Sequence, residues 1–99
     1  MHGAEHDARL KKLRFRAWRR GFREADLILG PFADRHAAEL SERQLDDFER
    51  LLEVPDQDLY AWIIGTEPAP EDYAGDVLEL IQDFRLFAHA AIDPDRRGA

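Results

Sequence analysis

The chain has 99 residues, 44% of them hydrophobic and 35% charged, enough for one modest core and too few for a second domain. It carries 14 Lys/Arg against 21 Asp/Glu, a net charge of −7, and no cysteine, which excludes disulfides, thiolate metal sites, redox pairs and cysteine nucleophiles. No apolar run approaches the roughly 20 residues of a membrane helix, and the start lacks the apolar core of a secretion signal, so the expectation is a cytoplasmic protein with no targeting segment and no membrane insertion.

Every segment favours helix, with no alternating strand pattern and few β-branched residues. The first helix is expected from about Asp7 to Arg20, with Leu10, Leu13, Ala17 and Trp18 on one stripe. Gly21 stands where a left-handed cap is wanted. A second helix runs from near Phe22 to about Ala38, its inner face Leu27, Ile28, Phe32 and His36, with a kink or irregular turn expected at Gly30-Pro31. Ser41-Glu42-Arg43-Gln44 has the form of a capping box and opens a third helix with Leu45, Phe48, Leu51 and Leu52 inward. Pro55 breaks it and Asp56 is the expected N-cap of a fourth helix, which buries Leu59, Trp62 and Ile63 and stops at Gly65. Pro70 suits the first turn of the last helix, where Glu71 and Asp72 complement the positive end, and Tyr73, Val77, Leu80, Ile81, Phe84 and Phe87 form its stripe. The expected architecture is all-α, a compact five-helix bundle in a single domain over residues 8–90, with flexible termini at 1–7 and 91–99.

The charge is split along the chain. Arg9 to Arg23 holds eight Lys/Arg and no acid, whereas Glu39 to Asp83 holds fourteen Asp/Glu and only Arg43 and Arg50. Such polarity opposes long-range attraction to a nucleic-acid duplex but allows the basic element to meet an acidic patch on a protein.

Catalytic residue types are scarce or already accounted for. Ser41 is the only serine and belongs to the capping box. His2, His6, His36 and His89 form no H-E-x-x-H pattern; His2 and His6 are four apart but in the N-terminal tail, and His36 reads as a helix-end residue. Asp46-Asp47 and Glu71-Asp72 suit solvated helix faces or dipole complements better than acid–base work. No glycine-rich phosphate loop is present. Trp62 reads as core, Trp18 as either packed or half exposed beneath arginine stems, and Phe22 as a plug between the first two helices. The chain is therefore a poor candidate for an enzyme in its own right, with no catalytic residues and no metal site expected.

Arg20-Gly21-x-x-Glu24 stands out from this background. The bland reading is a helix end with solvated charges. The functional one starts from a glycine corner that exposes backbone to a partner, with arginine's planar fork and a carboxylate on either side.

Arg20-Gly21-Phe22-Arg23-Glu24 resembles the RGxxE signature of the succinate dehydrogenase assembly factors, the SdhE-type flavinators. Asp26-Leu27-Ile28-Leu29, Phe32-Ala33, Phe48-x-x-Leu51-Leu52 and Pro55-Asp56-x-x-Leu59-x-x-Trp62-Ile63 are similar to the rest of that family, so the likeness covers roughly Leu10 to Phe87. The resemblance implies a binding chaperone for the flavoprotein subunit of succinate dehydrogenase, and in bacteria of fumarate reductase, that promotes covalent attachment of FAD to a histidine of that subunit. It also implies that the partner holds the FAD and forms the bond. It assigns docking to Arg20, Gly21 and Glu24, with Arg19, Arg23 and Asp26 as flanking contacts and Leu59 and Trp62 as structural residues. Two alternatives stay open on the residues alone: a small nucleic-acid-binding helical domain using the basic first helix, and a generic oligomerisation module.

Overall fold

A computed structural model describes residues 2–19 and 21–92, with side chains over 5–19 and 21–86. Arg20, Phe87 and His89, on which parts of the sequence reading fall, have side chains outside the described residues, as does His2. Five α-helices follow in order: α1 His2–Trp18, α2 Arg23–His36, α3 Glu42–Leu52, α4 Asp56–Ile64 and α5 Asp76–Ile92, with a 3-10 turn at Ala37–Glu39 after α2. No strand occurs among the described residues, as the scarcity of β-branched residues implies.

Local chemistry explains most helix ends. Ser41 Oγ accepts from the Gln44 N–H at 3.1 Å while Gln44 Oε1 accepts from the Ser41 N–H at 2.9 Å, closing the capping box at the start of α3. Gly65 ends α4 at φ +86°, a left-handed turn that lets its N–H reach the Ala61 carbonyl at 2.9 Å. Pro55, not Asp56, is the N-cap of α4, and Asp56 is the first helical residue. α1 begins at His2 rather than near Asp7 and ends two residues before Arg20.

Two prolines bear on the helix plan. Helix α2 continues as α-helix through Gly30-Pro31 with no irregular turn, as a helix expected to run on past this pair requires, although Pro31 offers no N–H to the Leu27 carbonyl. Pro70 does not start α5. Its carbonyl accepts from the N–H groups of Tyr73 and Ala74, each at 2.9 Å, so residues 70–74 form a separate turn and α5 begins at Asp76. Tyr73 therefore leaves the expected α5 stripe and packs instead on Trp62, ring centroids 5.3 Å apart.

Helix α1 packs mainly on α2, and α5 lies against α2, α3 and α4, so α2 and α5 meet most of the other elements. Phe32 of α2 is the hub, with Phe48 of α3 and Phe84 of α5 edge-on at 5.5 and 5.7 Å. The buried set includes Leu10, Leu13 and Ala17 from α1, the four expected α3 positions, Leu59, Trp62 and Ile63 from α4, and Val77, Ile81 and Phe84 from α5. Two expected inward residues face out, Leu27 at 55% and Leu80 at 41% exposure, while Ala25, Leu29 and Leu78 are buried instead. No polar or charged residue is buried among the described residues, so packing rather than an internal polar network holds the bundle.

One polar clasp on the surface ties α1 to α3. Arg9 Nε donates to Glu49 at 2.9 Å, and its Nη2 donates to Glu49 at 3.1 Å and also to Asp46. These hydrogen bonds, Glu49 first and then Asp46, hold the Arg9 guanidinium even further above its already high range, so it stays charged at every working pH.

Candidate docking site

The link between α1 and α2 carries the expected corner. Helix α1 ends at Trp18, and the Arg19 N–H still reaches the Arg16 carbonyl at 3.3 Å. Gly21 lies beyond that last turn, so it does not cap it. It adopts φ +88° within the link, and a Cβ built on it meets nothing within 4 Å. The glycine is thus required by backbone conformation, while the space in front of it is open. Phe22 follows as the N-cap of α2 and offers no side-chain cap. Its ring is half-buried and packs on Tyr60 of α4, centroids 5.1 Å apart, so it plugs the corner against α4 rather than against α1 alone.

Arg23 and Glu24 occupy the first turn of α2 and are exposed, and neither makes an ion pair among the described residues. A carboxylate here suits the positive end of the helix. Asp26 is half-buried one turn on, its N–H bonded to the Phe22 carbonyl at 2.9 Å. Arg19 is exposed, with its guanidinium carbon 4.8 Å from the centroid of the Phe15 ring. Of the six residues expected to dock, five are therefore placed on or beside one corner, and Arg20 lies outside the described residues.

Sequence reading missed what faces this corner. Gly21 to Glu24 form one wall of a shallow depression whose other wall is the first turn of α4, residues 55–58. No local pattern signals that pairing, because the two walls lie more than thirty residues apart in sequence.

A second unforeseen contact anchors α1 just before the corner. The Trp18 indole lies flat against Gly30 of α2, so close that a Cβ there would stand 2.3–2.7 Å from three ring atoms. Its Nε1–H donates to Asp34 at 3.0 Å. Trp18 keeps 40% exposure, so it is both packed on α2 and half open to solvent. Gly30, expected from sequence only as part of a kink or irregular turn with Pro31, is a bed for this ring. The missing Cβ also removes the clash that usually drives a residue before proline out of the helix.

Elsewhere the described residues hold little chemistry. His36 is the last residue of α2, edge-on to Phe84 at 5.5 Å and 3.4 Å from Glu39. No group of three His, Cys, Asp or Glu side chains converges on a possible metal among the described residues. No described helix is long and apolar enough to cross a membrane.

A small helical bundle with an outward RGxxE corner between its first two helices has the build of an assembly factor. Residues 11–85 match the family model described as flavinator of succinate dehydrogenase, and the chain belongs to that family. It is 42% identical over 72 residues to the mitochondrial succinate dehydrogenase assembly factor 2 of Dictyostelium discoideum, covering 73% of this chain and 51% of that one. It is 38% identical over 80 residues to the FAD assembly factor SdhE of Acetobacter pasteurianus, covering 80% and 73% respectively. The zebrafish (Danio rerio) mitochondrial assembly factor 2 is 34% identical over 84 residues, covering 83% and 53%. The chain thus spans about half the length of these mitochondrial relatives, at 51% and 53%, and 73% of the bacterial one.

Proposed function

We propose that this chain binds the flavoprotein subunit of succinate dehydrogenase, and that of fumarate reductase where present, and promotes covalent attachment of FAD to a histidine of that subunit. The observation that carries this reading is the Gly21 corner: a left-handed glycine with open space before it and the unpaired Arg23 and Glu24 beside it. Family membership supports succinate dehydrogenase as the partner system. In this reading the chain acts in the cytoplasm, FAD belongs to the flavoprotein, and bond formation is the flavoprotein's own reaction. The sequence contains no phosphate-cradling glycine loop of its own. The flavin chemistry would belong to the partner, whose own preorganised groups would stabilise the charge that develops on the ring as the bond to histidine forms.

The role of this chain's residues is to bind and hold. Arg20 offers a planar fork of donors to a carboxylate of the partner, Glu24 accepts from a donor one helical turn away, and the lack of a side chain at Gly21 lets the partner's backbone approach. Arg19, Arg23 and Asp26 extend that contact on either side. Binding accelerates attachment if it favours the flavoprotein arrangement in which histidine, flavin and stabilising groups are aligned. Raising that arrangement from ~1% to ~99% takes about 5.5 kcal/mol of differential binding. A few hot-spot residues at roughly 2 kcal/mol or more each supply it.

Nothing in the described structure favours the nucleic-acid alternative. Arg9, the first cation of the basic run, is tied to Glu49 and Asp46 of α3, and Arg19 lies over Phe15.

The test is co-expression with the cognate flavoprotein, read as flavin fluorescence on a denaturing gel. Covalent flavin is expected to fall sharply without this chain, and again with Glu24→Ala or Arg20→Ala in a variant whose circular dichroism is unchanged. Normal covalent flavin with both variants would remove the corner from the docking assignment.

A further inference from the structure

The docking corner borders a second feature that the RGxxE pattern does not contain. Pro55 and Asp56 wall the depression in front of Gly21, and the same two residues wall a neighbouring furrow beneath α1. Phe15, Arg16 and Arg19 form the other side of that furrow, facing Glu53, Pro55 and Asp56. The two hollows therefore share Pro55 and Asp56 as a common ridge. This furrow is also where the chain leaves a large apolar side chain uncovered, since Phe15 is 61% exposed, the highest value among its exposed large hydrophobics. The ring is roofed on one side by Arg19. Arg16 and Arg19 make no ion pair among the described residues, although the rest of the molecule is rich in acid.

We infer that the docking face continues across the Pro55 ridge into this furrow, and that the furrow takes an apolar side chain flanked by a carboxylate on the surface of the flavoprotein. The inference rests on the proposed docking function and adds a contact to it. Three properties of the furrow select that occupant. Phe15, exposed Pro55 and the buried Leu52 and Val54 beneath give an apolar slot. The free guanidinium groups of Arg16 and Arg19 stand at its α1 side, where a partner carboxylate can be met bidentately and largely shielded by the Phe15 ring. The exposed Glu53 on the far wall repels a carboxylate placed there, which fixes the order of apolar group and acid across the furrow. The slot adjoins the corner, so one flavoprotein surface reaches both without a change in this chain.

An exposed aromatic under an arginine, close to the centre of a docking face, is a typical hot-spot arrangement. Phe15→Ala is therefore expected to weaken binding about tenfold or more. The measurement is calorimetric titration of the full-length chain into purified flavoprotein subunit, for wild type, Phe15→Ala, Arg16→Glu/Arg19→Glu and Glu24→Ala, with circular dichroism and Tm of each. The inference expects Phe15→Ala and the double charge reversal to bind more weakly while melting like wild type. The double reversal should also flatten the dependence of affinity on salt. If both bind like wild type while Glu24→Ala fails, the furrow is not part of the interface and the corner stands alone. If wild type does not bind, the docking function itself falls and the furrow with it; if Glu24→Ala alone binds like wild type while the furrow variants do not, the furrow stands and the corner leaves the interface. If the chain self-associates, and Phe15→Ala abolishes only that, the occupant is a second copy and the assignment to the flavoprotein is overturned.

Discussion

Two glycines nine residues apart show opposite uses of a missing side chain. Gly21 has a backbone conformation that disfavours any Cβ, yet empty space where the Cβ would sit. Gly30 lies in an ordinary helix, yet its Cβ position is filled by the Trp18 indole. The first position is left open and the second is filled by the chain itself. The filled one secures the end of α1 immediately before the open one. A glycine at a surface can thus be read by asking separately what its φ requires and what its absent side chain would strike.

The largest expected effect comes from filling the closed site. In Gly30→Ala the new methyl displaces the indole and its bond to Asp34, a repacking loss of about 1–3 kcal/mol that up to about 1 kcal/mol of better helix propensity partly offsets. The Tm should fall by several degrees, at roughly 4–8 °C per kcal/mol for a domain of this size. Repeated in a Trp18→Ala background, the same substitution should be neutral or stabilising by up to about 1 kcal/mol. Equal losses in the two backgrounds would show that the indole is not what excludes the methyl.

Gly21→Ala comes next. It meets no atom, so its loss is the left-handed backbone penalty of about 1–2 kcal/mol, and that loss should be the same with or without Trp18. Its effect on covalent flavin should exceed what the drop in Tm explains, because the methyl also stands in the partner's path. A flavin yield that tracks Tm alone would reduce Gly21 to a conformational residue. The smallest effect is expected for Asp34→Ala, which removes one exposed acceptor from the Trp18 N–H and should lower stability by roughly 0.5–1 kcal/mol while leaving flavin attachment intact. Together the three variants measure how strictly the two glycines divide their tasks.

Features set by a few adjacent residues were legible from sequence. The capping box at Ser41 and Gln44 and the left-handed stop at Gly65 both depend on local hydrogen bonds and backbone preference, and both stand as read. The RGxxE corner was found because its residues are contiguous. Pro70 was misread because a proline there suits a first helical turn or a tight turn of its own, and only the docking of Tyr73 on Trp62 separates the two. Leu27 and Leu80 turn out of the expected stripes, and Leu78, outside the expected stripe, turns in, because a stripe read at helical spacing tolerates a neighbouring register whereas packing against the adjoining helices does not. The Trp18–Gly30 contact and the facing of Gly21 with residues 55–58 arise from the assembled bundle and leave no sequence signature.

Gln44 links parts of the bundle that a helix list keeps apart. Its amide oxygen completes the start of α3, and its amide nitrogen donates at 2.9 Å to Asp76, the first residue of α5, 32 positions later. One side chain thus seats the opening turns of two helices that chain connectivity leaves distant. In kinetic terms it is a long-range contact closed only when the second half of the chain has come home, so the two helix starts should open to solvent exchange together. Frayed individually, each end would be a local fluctuation; the shared amide couples the α3 and α5 starts at a seam distant in sequence from the Gly21 corner.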